Sequence, residues 1–209
     1  MTRRAVATAS VVGVLVAGCT SGSSRSPSNH ESAGPATETR AAASSPSGSL
    51  AALHRRLRLP TIQPGQPCPV TLTRHQPDPA LGVIRGTGPA GPVGLSAAGV
   101  LHYIGPAASN AFIDKSWGGA KVLWAVDSAV NGTVLVRGRQ LDGTHALRFN
   151  DPAVDELLLA PEAPASPGGW RDYPGYTRLR APGCYGYQVD APSGTTIIIF
   201  QAEGPTVGS

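Results

Sequence analysis

Lysine is almost absent from this 209-residue chain. Lys115 and Lys121 are the two lysines, set against fifteen arginines. No long basic cluster stands in the body of the sequence, so the net charge of +4 and the pI near 9.3 rest on few residues. That scarcity argues against nucleic acid as a main partner. Long apolar runs are also missing. The longest near the N-terminus, residues 5–17, is too short for the roughly 30 Å of bilayer hydrocarbon. Beyond residue 60 there is no sustained helical period, which disfavours a helix bundle. Catalytic signatures are lacking as well. The chain has no His-Glu-x-x-His, no Gly-x-Ser-x-Gly and no Ser-x-x-Lys, so no enzymatic activity and no cofactor are expected. Gly94-Leu95-Ser96-Ala97-Ala98-Gly99 is one residue too long for a nucleophile elbow and reads as a turn.

What is present at the N-terminus reads as an export signal. Arg3 and Arg4 precede the apolar run, and small residues follow it. Thr2-Arg3-Arg4 leaves both a general and a twin-arginine export route open. Val16-Ala17-Gly18-Cys19 resembles the lipobox of bacterial lipoproteins. The resemblance implies a signal peptide over residues 1–18, cleavage before Cys19 and acylation of its sulfur. It also implies anchoring in the bilayer on the extracytoplasmic face, with two or more acyl chains holding the protein stably. Removal of the leader takes two arginines and leaves fifteen basic against thirteen acidic residues.

Residues 19–48 are rich in Ser, Ala, Pro, Gly and Thr and contain no aromatic, Leu, Ile or Val. Such a segment buries too little apolar surface to offset its ordering entropy and is expected to be a disordered tether. His30-Glu31 within it reads as solvated rather than as a metal ligand. Residues 49–205 are then expected to form one domain, followed by a loose tail over 206–209. With Cys19 assigned to lipid, Cys68 and Cys184 remain as an even pair in an exported chain. They are expected to form a disulfide, with two free buried thiols as the alternative.

A short helix is expected over Ser49–Arg58, where Leu50, Leu53 and Leu57 share a face and Pro60 ends the pattern. It could lie on anionic lipid or dock on the domain. The remainder reads as short strands separated by Gly/Pro turns: residues 82–85, 100–104, 120–126, 133–139, 146–149, 156–159, 176–180, 185–190 and 195–201. This spacing predicts a mainly β fold, an antiparallel immunoglobulin-like sandwich. Asn131-Gly132 predicts a hairpin joining 121–126 to 133–139, with Trp124 facing Arg139. Another turn is expected at Leu141-Asp142-Gly143-Thr144. Alternation puts Tyr185, Tyr187 and Val189 on the core face of their strand. The unbroken Thr196-Ile197-Ile198-Ile199-Phe200 predicts a strand covered on both faces.

The run from Gly183 to Asp190, the Thr196–Phe200 run, Cys68-Pro69-Val70-Thr71 and the turn from Gly138 to Gly143 together resemble small exported β-sandwich domains. Such domains occur in lipoproteins of high-GC Gram-positive bacteria. The resemblance implies a fold and carries no site residues.

The candidate ligand platform is Gly168–Tyr176, where Trp170, Arg171, Tyr173 and Tyr176 lie in a turn-rich stretch. Rings on loops stack on sugars or peptides, and they also plug the ends of sandwiches. His75, His102 and His145 are isolated candidates for a general base. Asp151, Asp155 and Glu156 are close enough to consider calcium, without a known loop spacing, and no metal site is expected. The function expected is a membrane-anchored, non-catalytic binding domain whose partner is a cell-wall or envelope protein ligand. An envelope hydrolase with a convergent site and an accessory subunit of an envelope complex are the alternatives.

Overall fold

A computed structural model describes residues 49–108 and 110–208. The expected leader, Cys19, the tether and His30-Glu31 lie outside these residues. The elements in order are α1 (Leu50–Leu53), β1 (Arg74–His75), β2 (Ile84–Arg85), β3 (Ala90–Val93), β4 (Val100–His102), β5 (Gly118–Asp127), β6 (Val134–Gln140), β7 (Arg148–Phe149), β8 (Leu157–Leu159), β9 (Trp170–Leu179), β10 (Gly183–Ala191) and β11 (Gly194–Glu203). They form two sheets, β1-β2-β3-β5-β9-β7 and β4-β11-β10-β6-β8, antiparallel apart from the β4–β11 pair. The fold is therefore the mainly β sandwich that strand spacing predicts. Among the described residues no helix is long and apolar enough to cross a membrane.

The core follows from alternation. Tyr185, Tyr187 and Val189 of β10 point between the sheets and are buried there with Trp124, Phe149, Ile198 and Phe200. Tyr187 is central. Its ring stacks on Phe200 at 4.6 Å and meets the edge of Trp124 at 5.1 Å. Its hydroxyl shares a 2.6 Å hydrogen bond with Thr177 of the opposite sheet. Burial raises its pKa well above the ordinary 10.0.

β11 is covered on both faces, as its unbroken isoleucines predict. Ile198 enters the main core, whereas Ile197 and Ile199 pack with Leu59, Leu141 and Cys184 on the outside of the sheet. The outer cover is the chain's own N-terminal segment, residues 53–71. Leu53 is buried, Ile62 N–H bonds Leu141 C=O at 2.8 Å, and Thr71 N–H bonds Ile199 C=O at 2.9 Å. Cys68 is bridged to Cys184 across a sequence separation of 116.

Three local expectations are corrected. The helix is one turn, Leu50–Leu53, rather than ten residues. Past it, the carbonyls of Arg55, Arg56 and Leu59 accept bonds from Arg137, Gln188 and Arg139 of the neighbouring sheet instead of closing helical turns. The Asn131-Gly132 segment does not make a hairpin. β5 pairs with β3 and β9, β6 pairs with β10 and β8, and the segment crosses between sheets. Trp124 thus stands opposite Pro92 and Tyr173, far from the expected Arg139. Finally, Trp170–Tyr176 is strand, part of the ten-residue β9, and not a loop.

Candidate functional site

The most distinctive surface feature is an interruption in the edge of β5. β3 runs antiparallel to β5 and ends with Val93 opposite Leu123. At Gly94 the φ of 113° turns the backbone out of the sheet, a geometry glycine adopts without steric cost. The chain then crosses to the other sheet, where β4 lies parallel to β11. It returns at Ile104, which exchanges two backbone hydrogen bonds with Gly119 at 3.1 and 2.9 Å. Residues 120–122 of β5 are left without a strand on this edge. The opening is a cleft of about 340 Å³, lined chiefly by Leu101, Ile104, Phe112, Ala120, Lys121 and Tyr176.

One wall is the segment of residues 110–117, and buried charge holds it. Arg178 donates to the carbonyls of Asp114 at 2.6 Å and Trp117 at 3.0 Å. Asp151 accepts the N–H groups of Ile113 and Asp114. The two side chains form an ion pair at 3.4 Å and are almost wholly buried. Burial pushes the Asp151 carboxyl pKa up, but the two loop amides and the charges of Arg178 and Lys115 outweigh this and hold it below 3.8. Phe112 lies over the Arg178 guanidinium at 4.0 Å and meets Tyr176 edge-on at 5.3 Å. This approach needs Gly119. A Cβ there would sit 2.9 Å from both the Phe112 ring and Arg178 Cδ. Trp117 is flanked by Arg180 at 4.4 Å and Arg148 at 5.7 Å. Ile113, next to Phe112 in the chain, is 81% exposed.

No family model matches the chain, and no curated protein or solved structure matches it. The cleft is accordingly read from its own chemistry.

Of the four platform residues expected from sequence, Tyr176 lines the cleft and the other three lie elsewhere. Trp170 is buried against Ile84 and Ala125, with His75 at 5.6 Å. The Arg171 guanidinium is consumed by the carbonyls of Pro161, Asp127, Ser128 and Val130 at 2.7–3.2 Å. Tyr173 packs against the main core and donates its hydroxyl to Ala160 C=O. The acidic trio is likewise dispersed: Asp151 to Arg178, Asp155 to Arg148, and Glu156 to His54. Among the described residues no group of three or more His, Cys, Asp or Glu side chains is placed to hold a metal ion. The histidines also stand apart. His75 faces Gly86 C=O, His102 stands 3.4 Å from Glu203 at the cleft rim, and His145 is exposed. Phe112, Ile104 and Lys121 escaped sequence reasoning because the interruption in β5 depends on a long-range crossover. The one local hint was the apolar pair Phe112-Ile113 in a segment otherwise made mostly of small and polar residues.

Proposed function

We propose that this protein is an extracytoplasmic lipoprotein, anchored through acylated Cys19, whose sandwich domain binds a ligand in the cleft beside β5. The cleft carries this reading. Its lining is mostly apolar, its aromatic wall is fixed by the buried Arg178–Asp151 pair, and pre-formed apolar pockets with few polar groups are where small ligands bind. The leader, the lipobox resemblance and the Cys68–Cys184 bridge are consistent with an oxidising compartment outside the cytosol.

The two halves of the proposal have separate tests. Cys19→Ala is expected to abolish incorporation of a labelled fatty acid and to move the protein out of the membrane fraction. Retention of label or of membrane association would refute anchoring through this residue. For the cleft, the mature polypeptide carrying Cys19→Ser and exported from a cleavable leader is titrated with the neutral apolar fluorophore N-phenyl-1-naphthylamine. Tyr176→Ala is expected to weaken binding about fivefold with an unchanged circular dichroism spectrum. Absence of binding to the parent protein removes the cleft from consideration.

A further inference from the structure

We infer that the cleft takes a short extended peptide with a free carboxylate, laid along β5 so that Lys121 contributes its N–H, its C=O and its ammonium. The inference rests on the cleft reading above and names its ligand class. In an antiparallel strand, alternate residues direct both backbone groups to the same edge. Gly119 bonds Ile104 on the β3 side of β5, and Asp127 N–H bonds Pro89 C=O on that side. Lys121 has the same parity, so its N–H and C=O face the cleft. Neither has a partner among the described hydrogen bonds. The unpaired stretch between the Val93 and Ile104 pairings is three residues of β5, 120–122, at roughly 3.3 Å each.

Val93-Gly94 closes one end of this slot and Ile104 the other. A long strand cannot continue along β5 in both directions, so the ligand is short or enters by its end. The carboxylate follows from charge. Lys121 is exposed and has no ion pair among the described residues, while the rim acid Glu203 already faces His102. Lys121 stands directly across the ladder from Tyr176, on the face that carries Phe112. The ammonium thus lies beside the aromatic wall, where a ligand's side chain and terminus meet.

The test uses the Cys19→Ser mature polypeptide with acetyl-Ala-Ala-Ala bearing a free C-terminus, its C-terminal amide, and the acid N-methylated at its central residue. Titration calorimetry gives affinities, and NMR follows exchange of the Lys121 amide proton. The acid is expected to bind and to protect that proton. The C-terminal amide should bind about threefold more weakly, and Lys121→Met should erase this preference. N-methylation should weaken binding about fivefold. Peptide binding that leaves Lys121 exchange unchanged overturns the inference. Failure of all three peptides while N-phenyl-1-naphthylamine still binds in a Tyr176-dependent manner also overturns it and leaves the cleft reading standing. Failure of both kinds of probe removes both.

Discussion

Arginine does here what regular structure does in longer-stranded domains: it satisfies backbone carbonyls. Irregular segments expose carbonyls that no ladder accepts, and burying them unpaired is unfavourable. Arg85 reaches the carbonyls of Thr71, Leu72, Ser96 and Ala97, tying two loops to β2. Arg139 holds Leu59 and Pro60, and Arg171 gathers four carbonyls from two loops. A guanidinium offers five donors in a planar fork, whereas an ammonium offers three around a point. Fifteen arginines against two lysines fit this role better than recognition of a polyanion. Arg171→Lys is therefore expected to lower stability by about 2 kcal/mol despite keeping the charge, measured by urea denaturation. Stability equal to the parent would show that the fork geometry is immaterial. Arg178→Met should cost about 3 kcal/mol, because it strands the Asp151 carboxylate in the interior. It should also speed amide exchange at Ile113 and Asp114, whose N–H groups Asp151 accepts. Loss of stability without faster exchange there would mean that the pair does not hold the loop.

At the scale of elements, the N-terminal segment works as a strap over the outer face of the second sheet. It contributes Leu59 and Ile62 to a satellite core and ends in the Cys68–Cys184 bridge. The chain-entropy model assigns a loop of this length roughly 4–5 kcal/mol. Cys68→Ser with Cys184→Ser is expected to reduce stability by about 3–4 kcal/mol, with amides of residues 59–71 becoming the first to exchange. If the strap stays as protected as β10, the bridge is not what holds it. The strap also marks how far the sequence could be read. The tyrosine alternation of β10 and the unbroken isoleucines of β11 were legible, because a period of two reports burial directly. The strap was legible only at its ends, in the apolar face that includes Leu53 and in the pairing of Cys68 with Cys184; between them, the buried Leu59 and the half-buried Ile62 follow no period. β9 was half legible: Pro174 and Gly175 look like a turn in isolation. In place, Pro174 stands opposite Leu123 beyond the end of β7, where no strand needs its missing N–H. Asn131-Gly132 misled for the complementary reason. A local turn signal cannot say which sheet the next strand joins. The cleft inherits that blindness, because it lies where β3 leaves the sheet and Ile104 returns to it.

The whole molecule combines buried acids and buried phenols, and their effects on stability lie at opposite ends of the pH scale. Asp190 is wholly buried on β10, with Arg137 at 2.8 Å and Arg55 at 3.7 Å, and it accepts from Gln188 and Thr195. Burial alone would raise its pKa, yet these bonds and the Arg137 charge bring it below 3.8, as the loop amides and Arg178 do for Asp151. A carboxyl whose folded pKa lies below its unfolded one binds protons more readily in the unfolded state. Its contribution is present above about pH 4 and is lost as pH falls through the folded value. The phenols behave in the mirror sense. Burial pushes Tyr103 up to about 12, and Tyr185 and Tyr187 higher still, so the unfolded chain ionises first. That contribution is present below about pH 10 and is lost as pH rises toward 12. Stability measured by urea denaturation should accordingly be level from about pH 5 to 9 and decline on both sides. Asp190→Asn should lower the plateau by about 3 kcal/mol, since Arg137 then lacks its counter-ion in the interior, and should flatten the acid limb while leaving the alkaline limb in place. An acid limb as steep as the parent's would show that Asp190 does not carry the proton linkage assigned to it.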